Sequence, residues 1–301
     1  MTSINTNSSA MAALQTLRSV NQSLNSTQNH VSSGYRVEKA SDNAAYWSIA
    51  TTMRSDNKAL SAVSDALGVG AAKVDTAYTA MDSAIDVVGE IKAKLVAATE
   101  NGVDKAKVQE EIGQLQQQLL SIAQSASFNG ENWVAGAAGT KSVVSSFVRD
   151  GSNAVSITTT DYVLDSGSAG NVLFGMSGGS VETSTGILGT STGATGSIYS
   201  MDITNFTAGQ IQSALTNVES ALKAMTSAGA ALGSLSSRID SQDDFVSALS
   251  DSIDSGIGRL VDADMEEESS RLSALQTQQQ LAIQSLSIAN SSSQNILSLF
   301  R

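Results

Sequence analysis

"LSAVSDALGVGAAKVDTAYTAMDSAIDVVGEIKAKL", residues 60–95, decides the fold. Leu60, Val63, Leu67, Gly70, Val74, Ala77, Met81, Ala84, Val88, Ile91 and Leu95 are spaced alternately by three and four, and all but Gly70 are apolar. A 3.5-residue apolar period held over several heptads means helices packed as in a coiled coil. At 1.5 Å per residue the stripe is about 50 Å long. Asn101-Gly102 predicts a turn, and Asp104 a cap for the next helix. The stripe resumes at Val108, Ile112, Leu115, Leu119, Ile122 and Ala126, and Asn129-Gly130 ends it. Thr207-Ala-Gly-Gln210 fits a capping box. A third stripe then runs through Ile211, Leu215, Val218, Leu222, Met225, Gly229 and Leu232, reaching Leu260 with polar interruptions. Three such helices can share one core.

The two ends repeat the pattern. Ala10, Leu14, Leu17, Asn21, Leu24, Gln28 and Val31 follow the same spacing, and Leu275, Ala282, Leu286, Ala289, Ser293, Ile296 and Phe300 fit the same grid. The ends are expected to pair, with polar Asn21, Gln28 and Ser293 trading stability for register. The last stretch, "IQSLSIANSSSQNILSLFR" (283–301), keeps Ile283, Leu286, Ile288, Ile296, Leu297, Leu299 and Phe300 up to the last position but one. Chain ends are usually polar unless tied down. Burying about ten such side chains is worth roughly 15–30 kcal/mol gross, and a lone chain has only its other end to bury them against. Identical copies could cover the rest, and heterologous contacts that do not close give open helical filaments.

Residues 136–206 are rich in Gly, Ser and Thr and hold half of the 24 glycines. Ser142–Arg149 and Ala154–Thr160 flank Asp150-Gly-Ser-Asn153, a hairpin signal. The expected fold is mainly α with a small β insertion, a nested coiled-coil-like rod built from both halves of the chain. Residues 1–44 and 258–301 form the terminal-helix part, 45–135 and 207–257 the rod, and 136–206 a variable β-rich outer domain or an elaborated loop.

Composition excludes much else. There is no Cys and no Pro, only one His, and a net charge of −12. Disulfides, thiolate metal sites and Cys nucleophiles are ruled out, and the acidic balance argues against a nucleic-acid partner. No apolar run is long enough to span a membrane. The start, "MTSINTNSSA", lacks the basic and apolar regions of a cleaved secretory signal, so export is expected to use another machine. His30 has no Asp or Glu within seven residues and reads as a helix-surface or contact residue. Asp262-Ala-Asp264-Met-Glu266-Glu267-Glu268 lacks the order of a calcium loop and suits a helix start. Gly136-Ala-Ala-Gly139-Thr-Lys141-Ser142 is too short for a phosphate loop. Phe128-Asn-Gly-Glu-Asn-Trp133 reads as a turn packing two aromatics, and Met53 and Met81 as core filler. No catalytic, metal or cofactor-binding residues are expected, and the chain reads as no enzyme.

Both extremities resemble bacterial flagellin, of the alphaproteobacterial or rhizobial type. The motifs are "INTN" (4–7), "VSSGYRVEKASDNAAY" (31–46), "SRID" (237–240), "RLVDADMEEESSRL" (259–272) and "QLAIQSLSIANSSSQNILSLFR" (280–301). They cover about 135 residues at the start and about 85 at the end. The resemblance implies a secreted subunit that self-assembles into the extracellular flagellar filament for swimming motility. It assigns assembly to terminal-helix residues Ile4, Leu14, Leu17, Leu24, Val31, Leu275, Leu286, Ile296, Leu297, Leu299 and Phe300. Leu60, Val63, Leu67, Val74, Met81, Val88, Ile91, Leu95, Val108, Ile112, Leu115, Leu119, Ile211, Leu215, Val218 and Leu222 would form the rod core. Implied partners are other flagellin copies in a homo- or mixed polymer, hook-associated junction and cap proteins, an export chaperone and the flagellar type III export apparatus. No cofactor, nucleic acid or membrane insertion is implied.

Two segments depart from the family where innate receptors read it. Around Arg36, this chain has Asp42-Asn43-Ala-Ala-Tyr46-Trp47 in the stretch overlapping the peptide seen by the plant flagellin receptor. Glu90-Ile-Lys92-Ala93 aligns with the Arg-x-Arg-Glu segment read by the animal Toll-like receptor, so recognition by both is expected to be weak. Ser293 stands where the family has a near-terminal Pro. A hook–filament junction protein shares the terminal helices and is the alternative reading. A signalling coiled coil would call for a membrane span and no β insertion, and an enzyme for clustered nucleophiles, acids or metal ligands.

Overall fold

The computed structural model describes residues 7–100, 102–152, 154–191 and 193–299, with side chains in the last helix up to Ser291. Ile4, Asn101, Asn153 and Phe300, and the side chains of Ser293, Ile296, Leu297 and Leu299, all singled out from the sequence, lie outside the described residues. The helices are α1 (Ser8–Ser33), α2 (Ala44–Ala97), α3 (Lys105–Ser125), α4 (Ala208–Val261) and α5 (Met265–Leu299). The strands are β1 (Ser127–Phe128), β2 (Glu131–Asn132), β3 (Gly139–Arg149), β4 (Val155–Leu164), β5 (Gly175–Ser177) and β6 (Ser180–Glu182), all in antiparallel pairs. The fold is mainly α with a small β insertion. Two compact units divide it: the chain up to Lys58 together with that from Asp251, and Ala59–Ser250.

In the first unit α1 packs on α5. Asn7 caps α1 by accepting from the Ala10 N–H at 3.0 Å, and its amide donates to the Ala289 carbonyl at 3.0 Å. Gly34, at φ +74°, ends α1 with its N–H on the His30 carbonyl, a left-handed position glycine takes without strain. The chain then crosses the α4–α5 junction. Arg36 and Val37 donate to the Val261 carbonyl, and Ala263 donates to that of Gly34. A small core of Val37, Ala50, Ile257 and Val261, flanked by Met53, Ile253 and Leu260, seals this corner.

In the second unit α2 and α4 run antiparallel. Ser64 donates to Asp243, Ser236 to Asp75, and Gly233 and Gly229 face Tyr78 and Met81. Leu67, Val74, Met81, Val88, Ile91 and Leu95 are all at most 1% exposed. Asp104 caps α3, and Thr207 and Gln210 cap α4 reciprocally. Asn129 (φ +52°) and Gly130 (φ +80°) make the β1–β2 turn, the paired positive φ of a type I′ hairpin. The β3–β4 hairpin carries one bulge between Val144 and Ser146. Asp150 holds its tip by accepting from the Ser152 and Ala154 N–H groups.

The hairpin lies against the helices. Val143 packs on Gly70, and Arg238 of α4 donates to Thr160 Oγ1 at 3.2 Å. Val134, Val172, Leu173, Phe174, Leu188 and Ile203 are fully buried. The segment returning to α4 is held on α3 by two glutamines. Gln116, itself buried, donates to the Ile198 and Met201 carbonyls at 2.9 and 3.0 Å. Gln109 donates to Met201 and accepts from the Ile203 N–H.

Candidate functional site

The α1–α5 pair carries the feature that calls for explanation. Its inner line on α1 is Ala10, Ala13, Leu17, Val20, Leu24, Thr27 and Val31, half-buried or buried throughout. On α5 it includes Leu275, Gln279, Ala282, Leu286 and Ala289. Gln279 donates to Asn21 at 2.8 Å, a polar contact that fixes the register of the two helices. Leu24 is 8% exposed, and Leu17, Val31, Leu275 and Leu286 are half-buried. These residues face the other helix of the same chain.

A second apolar set points away from that seam. Met11 is 64% exposed, Leu14 38%, Leu281 59%, Ile283 53% and Ile288 68%. Helical geometry requires this: 281, 283 and 288 fall between the inward positions 279, 282, 286 and 289. Apolar side chains left uncovered on the flanks of the pair are available for burial against another chain. These five side chains are partly covered already, so burying what remains open would contribute roughly 4–8 kcal/mol gross, enough to join one chain to another.

The rod stripes also resolve into two kinds of position. In α4 the buried line is Ile211, Ala214, Val218, Ala221, Met225, Ala228, Leu232, Leu235 and Ile239, while Leu215 and Leu222 are half-buried. Leu215 and Leu222 line an open groove of about 690 Å³ with Lys92, Val96 and Glu219. In α3 Ile112, Gln116, Leu119 and Ala123 are buried, with Val108 and Leu115 at the edge. Leu60 and Val63 on α2 are buried.

The receptor-segment residues have local work in this fold. Arg36 donates to the Leu260 carbonyl at 3.1 Å. Asp42 accepts from the Glu38 and Lys39 N–H groups, and these hydrogen bonds, the Lys39 one foremost, hold its carboxyl below the usual carboxylate range. Asn43 accepts from the Ala45 and Tyr46 N–H groups at the start of α2. Tyr46 and Trp47 are exposed. Lys92 is paired with Glu219, and Glu90 is exposed.

Other sequence candidates fall into structural places. Lys141 and Lys73 both reach Glu131, at 3.7 and 2.8 Å, and the Lys73 bond holds that carboxyl low. Trp133 stacks on Tyr162 at 5.8 Å, and burial pushes the Tyr162 hydroxyl up. Asp264 caps α5, whose first turn holds Glu266, Glu267 and Glu268. Among the described residues no three His, Asp or Glu side chains converge as metal ligands, and no helix is long and apolar enough to cross a membrane. Sequence reasoning missed the buried Gln116, the outward set on α1 and α5, and the His30–Glu268 contact at 3.3 Å.

Paired end helices with a free apolar outer face, flanking a helical unit with a β insertion, are matched at both ends of the chain. Residues 4–138 match the bacterial flagellin N-terminal helical region, and residues 215–300 the bacterial flagellin C-terminal helical region. The chain belongs to the bacterial flagellin family. It is 54% identical to flagellin C and 51% identical to flagellin A of Rhizobium meliloti (strain 1021), with the whole of each chain covered. It is 48% identical to a flagellin of Brucella melitensis biotype 1, again over the whole of both chains. The flagellin A alignment runs over 394 residues, so that flagellin carries residues that this 301-residue chain lacks.

Proposed function

We infer that this flagellin is the structural subunit of an extracellular bacterial flagellar filament, built by self-assembly of many copies and used for swimming. The observation that carries the reading is the outward apolar face of the end-helix pair, Met11, Leu14, Leu281, Ile283 and Ile288, on a chain matched to flagellins over its whole length. Nothing among the described residues of the chain covers that face, whereas a neighbour with the same surface would. The relatives matched over their whole length are named flagellins, not junction proteins.

In the finer reading, residues 1–44 and 258–301 line the inner tube of the filament. Residues 45–135 and 207–257 form the wall around it, and 136–206 face solvent. The assembly residues are then of two kinds: seam residues such as Leu17, Leu24, Val31, Leu275 and Leu286, which set the shape of the pair, and outward residues, which join pairs. Before assembly the C-terminal helix is held by an export chaperone, and the chain leaves through the flagellar type III apparatus. Junction and cap proteins bound the polymer at its two ends. The chain acts as structure and carries out no catalysis.

Recognition by the plant and animal flagellin receptors is weak. Lys92 is engaged by Glu219, and Tyr46 and Trp47 present bulky aromatic surface in the other segment. A normal receptor response to the purified protein would overturn this.

Assembly of the purified chain in sulfate, which strengthens apolar burial, tests the main reading. Long tubes from the full chain and soluble monomer from a variant lacking residues 283–301 are expected. Full-length chain that stays soluble in every condition would contradict it.

A further inference from the structure

The first turns of α2 carry Tyr46, Trp47 and Ile49, which are 41%, 37% and 49% exposed. Ala50, one turn on, is 1% exposed and closes the small core with Val37, Ile257 and Val261. Positions 46 and 47 precede it by four and three residues, so they share the inward side of the helix. The core thus stops one turn before its aromatic residues do, and both rings are left partly open to solvent. Asn43 caps this turn by accepting from the Ala45 and Tyr46 N–H groups, and Thr51 Oγ1 donates to the Trp47 carbonyl at 2.7 Å. The rings stand on fixed backbone, as the Trp and Tyr anchors of an interface do.

Charge and symmetry identify the occupant of this shelf. The chain has 29 acidic residues and 17 Lys and Arg, yet no charged side chain occurs before Arg18, between Asp42 and Arg54, or between Arg271 and Arg301. The shelf and the outward face of the end helices are therefore both apolar surfaces set in charge-free stretches. Joining them strips no ion of water, and depletion of charge is the mark of an interface core. A face that meets its own copy makes a closed two-fold pair, whereas an open filament needs unlike faces on every chain. Asn7 meets Ala289 and His30 meets Glu268, so α1 and α5 run antiparallel. The outward face lies toward one end of this pair and the shelf beyond the other. From Leu14 to Gly34 α1 alone spans roughly 30 Å, so the two do not meet within one chain.

We propose that the Tyr46–Trp47–Ile49 shelf of one chain receives the outward apolar face of the end helices, with Leu281 and Ile288, from a second copy. This joint, which rests on the filament reading above, has a direction. Each copy offers its helix face to one neighbour and its shelf to another, and the series does not close.

The test reads Trp47 directly. Of the two tryptophans, Trp133 is 3% exposed and stacked on Tyr162, so emission quenched by acrylamide comes from Trp47 and is lost in Trp47→Phe. Quenching is compared in the soluble native chain and in sulfate-formed polymer, and is expected to fall severalfold on assembly. Equal quenching in both would overturn the proposal and leave the filament standing. The assembly threshold of Trp47→Ser, of Ile288→Gln and of the chain carrying both then tests the occupant. Each single change is expected to raise the threshold roughly tenfold. The two together should raise it by clearly less than the product, because residues in contact are not additive. Effects that multiply would mean that another surface covers the shelf, and would overturn the assigned joint. Native chain that forms no polymer contradicts the filament reading, and the joint falls with it.

Discussion

Val143 Cγ1 occupies the place where a side chain on residue 70 would begin: a Cβ built on Gly70 would lie 2.2 Å from it. The one non-apolar member of the α2 stripe is thus the seat of the β3–β4 hairpin, and its glycine is a requirement of close approach. Gly70→Ala is expected to destabilise the second unit by about 1–3 kcal/mol, as overpacking does, even though alanine is the better helix former. Val143→Ala in the same chain should recover most of the loss, and a double-mutant cycle in denaturant measures the coupling. Additive effects of the two changes would show that the hairpin is not seated there.

Gln116 anchors the segment that returns from the insertion to α4. Replacing it with Leu keeps the volume but leaves the Ile198 and Met201 carbonyls without its amide. Buried groups left unsatisfied cost about 1–3 kcal/mol. Gln116→Leu should lower the denaturant midpoint accordingly and expose residues 196–206 to protease before the helices open. Cleavage at the native rate would contradict the anchoring role.

The α2 seam was legible because its apolar positions are broken only at Gly70 and their period is strict. The alternate positions of α1, α3 and α4 were not. A three–four spacing has two phases that share every seventh residue, so 10, 17, 24 and 31 belong to both. Leu14, Leu215 and Leu222 drew the reading to one phase, whereas the structure half-buries Ala13 and buries Ala214 and Ala221 of the other. Small residues let backbones approach closely and leave the larger side chains at the flanks. That choice depends on the neighbouring helix, which a single stripe does not contain. For the same reason the outward face of the end helices was visible as surplus apolar residues but not as a surface. Gln116 was hidden because a polar residue inside an apolar stripe reads as an interruption until its acceptors, more than eighty residues away, are known.

The turn between α1 and α2 gives a pH dependence of definite sign. The Asp42 carboxyl is held below its ordinary range by the N–H groups of Lys39 and Glu38. Its contribution is present in full above the unfolded value, about 3.9, and is lost as pH falls through the depressed folded value. Asp42→Asn should be less stable than the native chain at neutral pH, and the gap should close as the medium is taken below about pH 4. Melting temperatures from pH 7 to pH 2 check this. A gap that stays constant, or widens in acid, would contradict it.

The central claim is that the outward apolar face of the end helices, distinct from their seam, joins copies into a filament. The most direct measurement is the concentration threshold for sulfate-induced assembly of the chain carrying Leu281→Gln with Ile288→Gln, beside the native chain. Both positions are more than half exposed in the single chain, so helix content should not change. Each lost side chain removes roughly 1–2 kcal/mol of burial, and about 1.4 kcal/mol corresponds to a tenfold change in threshold. The account predicts a threshold at least about tenfold higher with unaltered circular dichroism. An unchanged threshold, with tubes indistinguishable from those of the native chain, would contradict it.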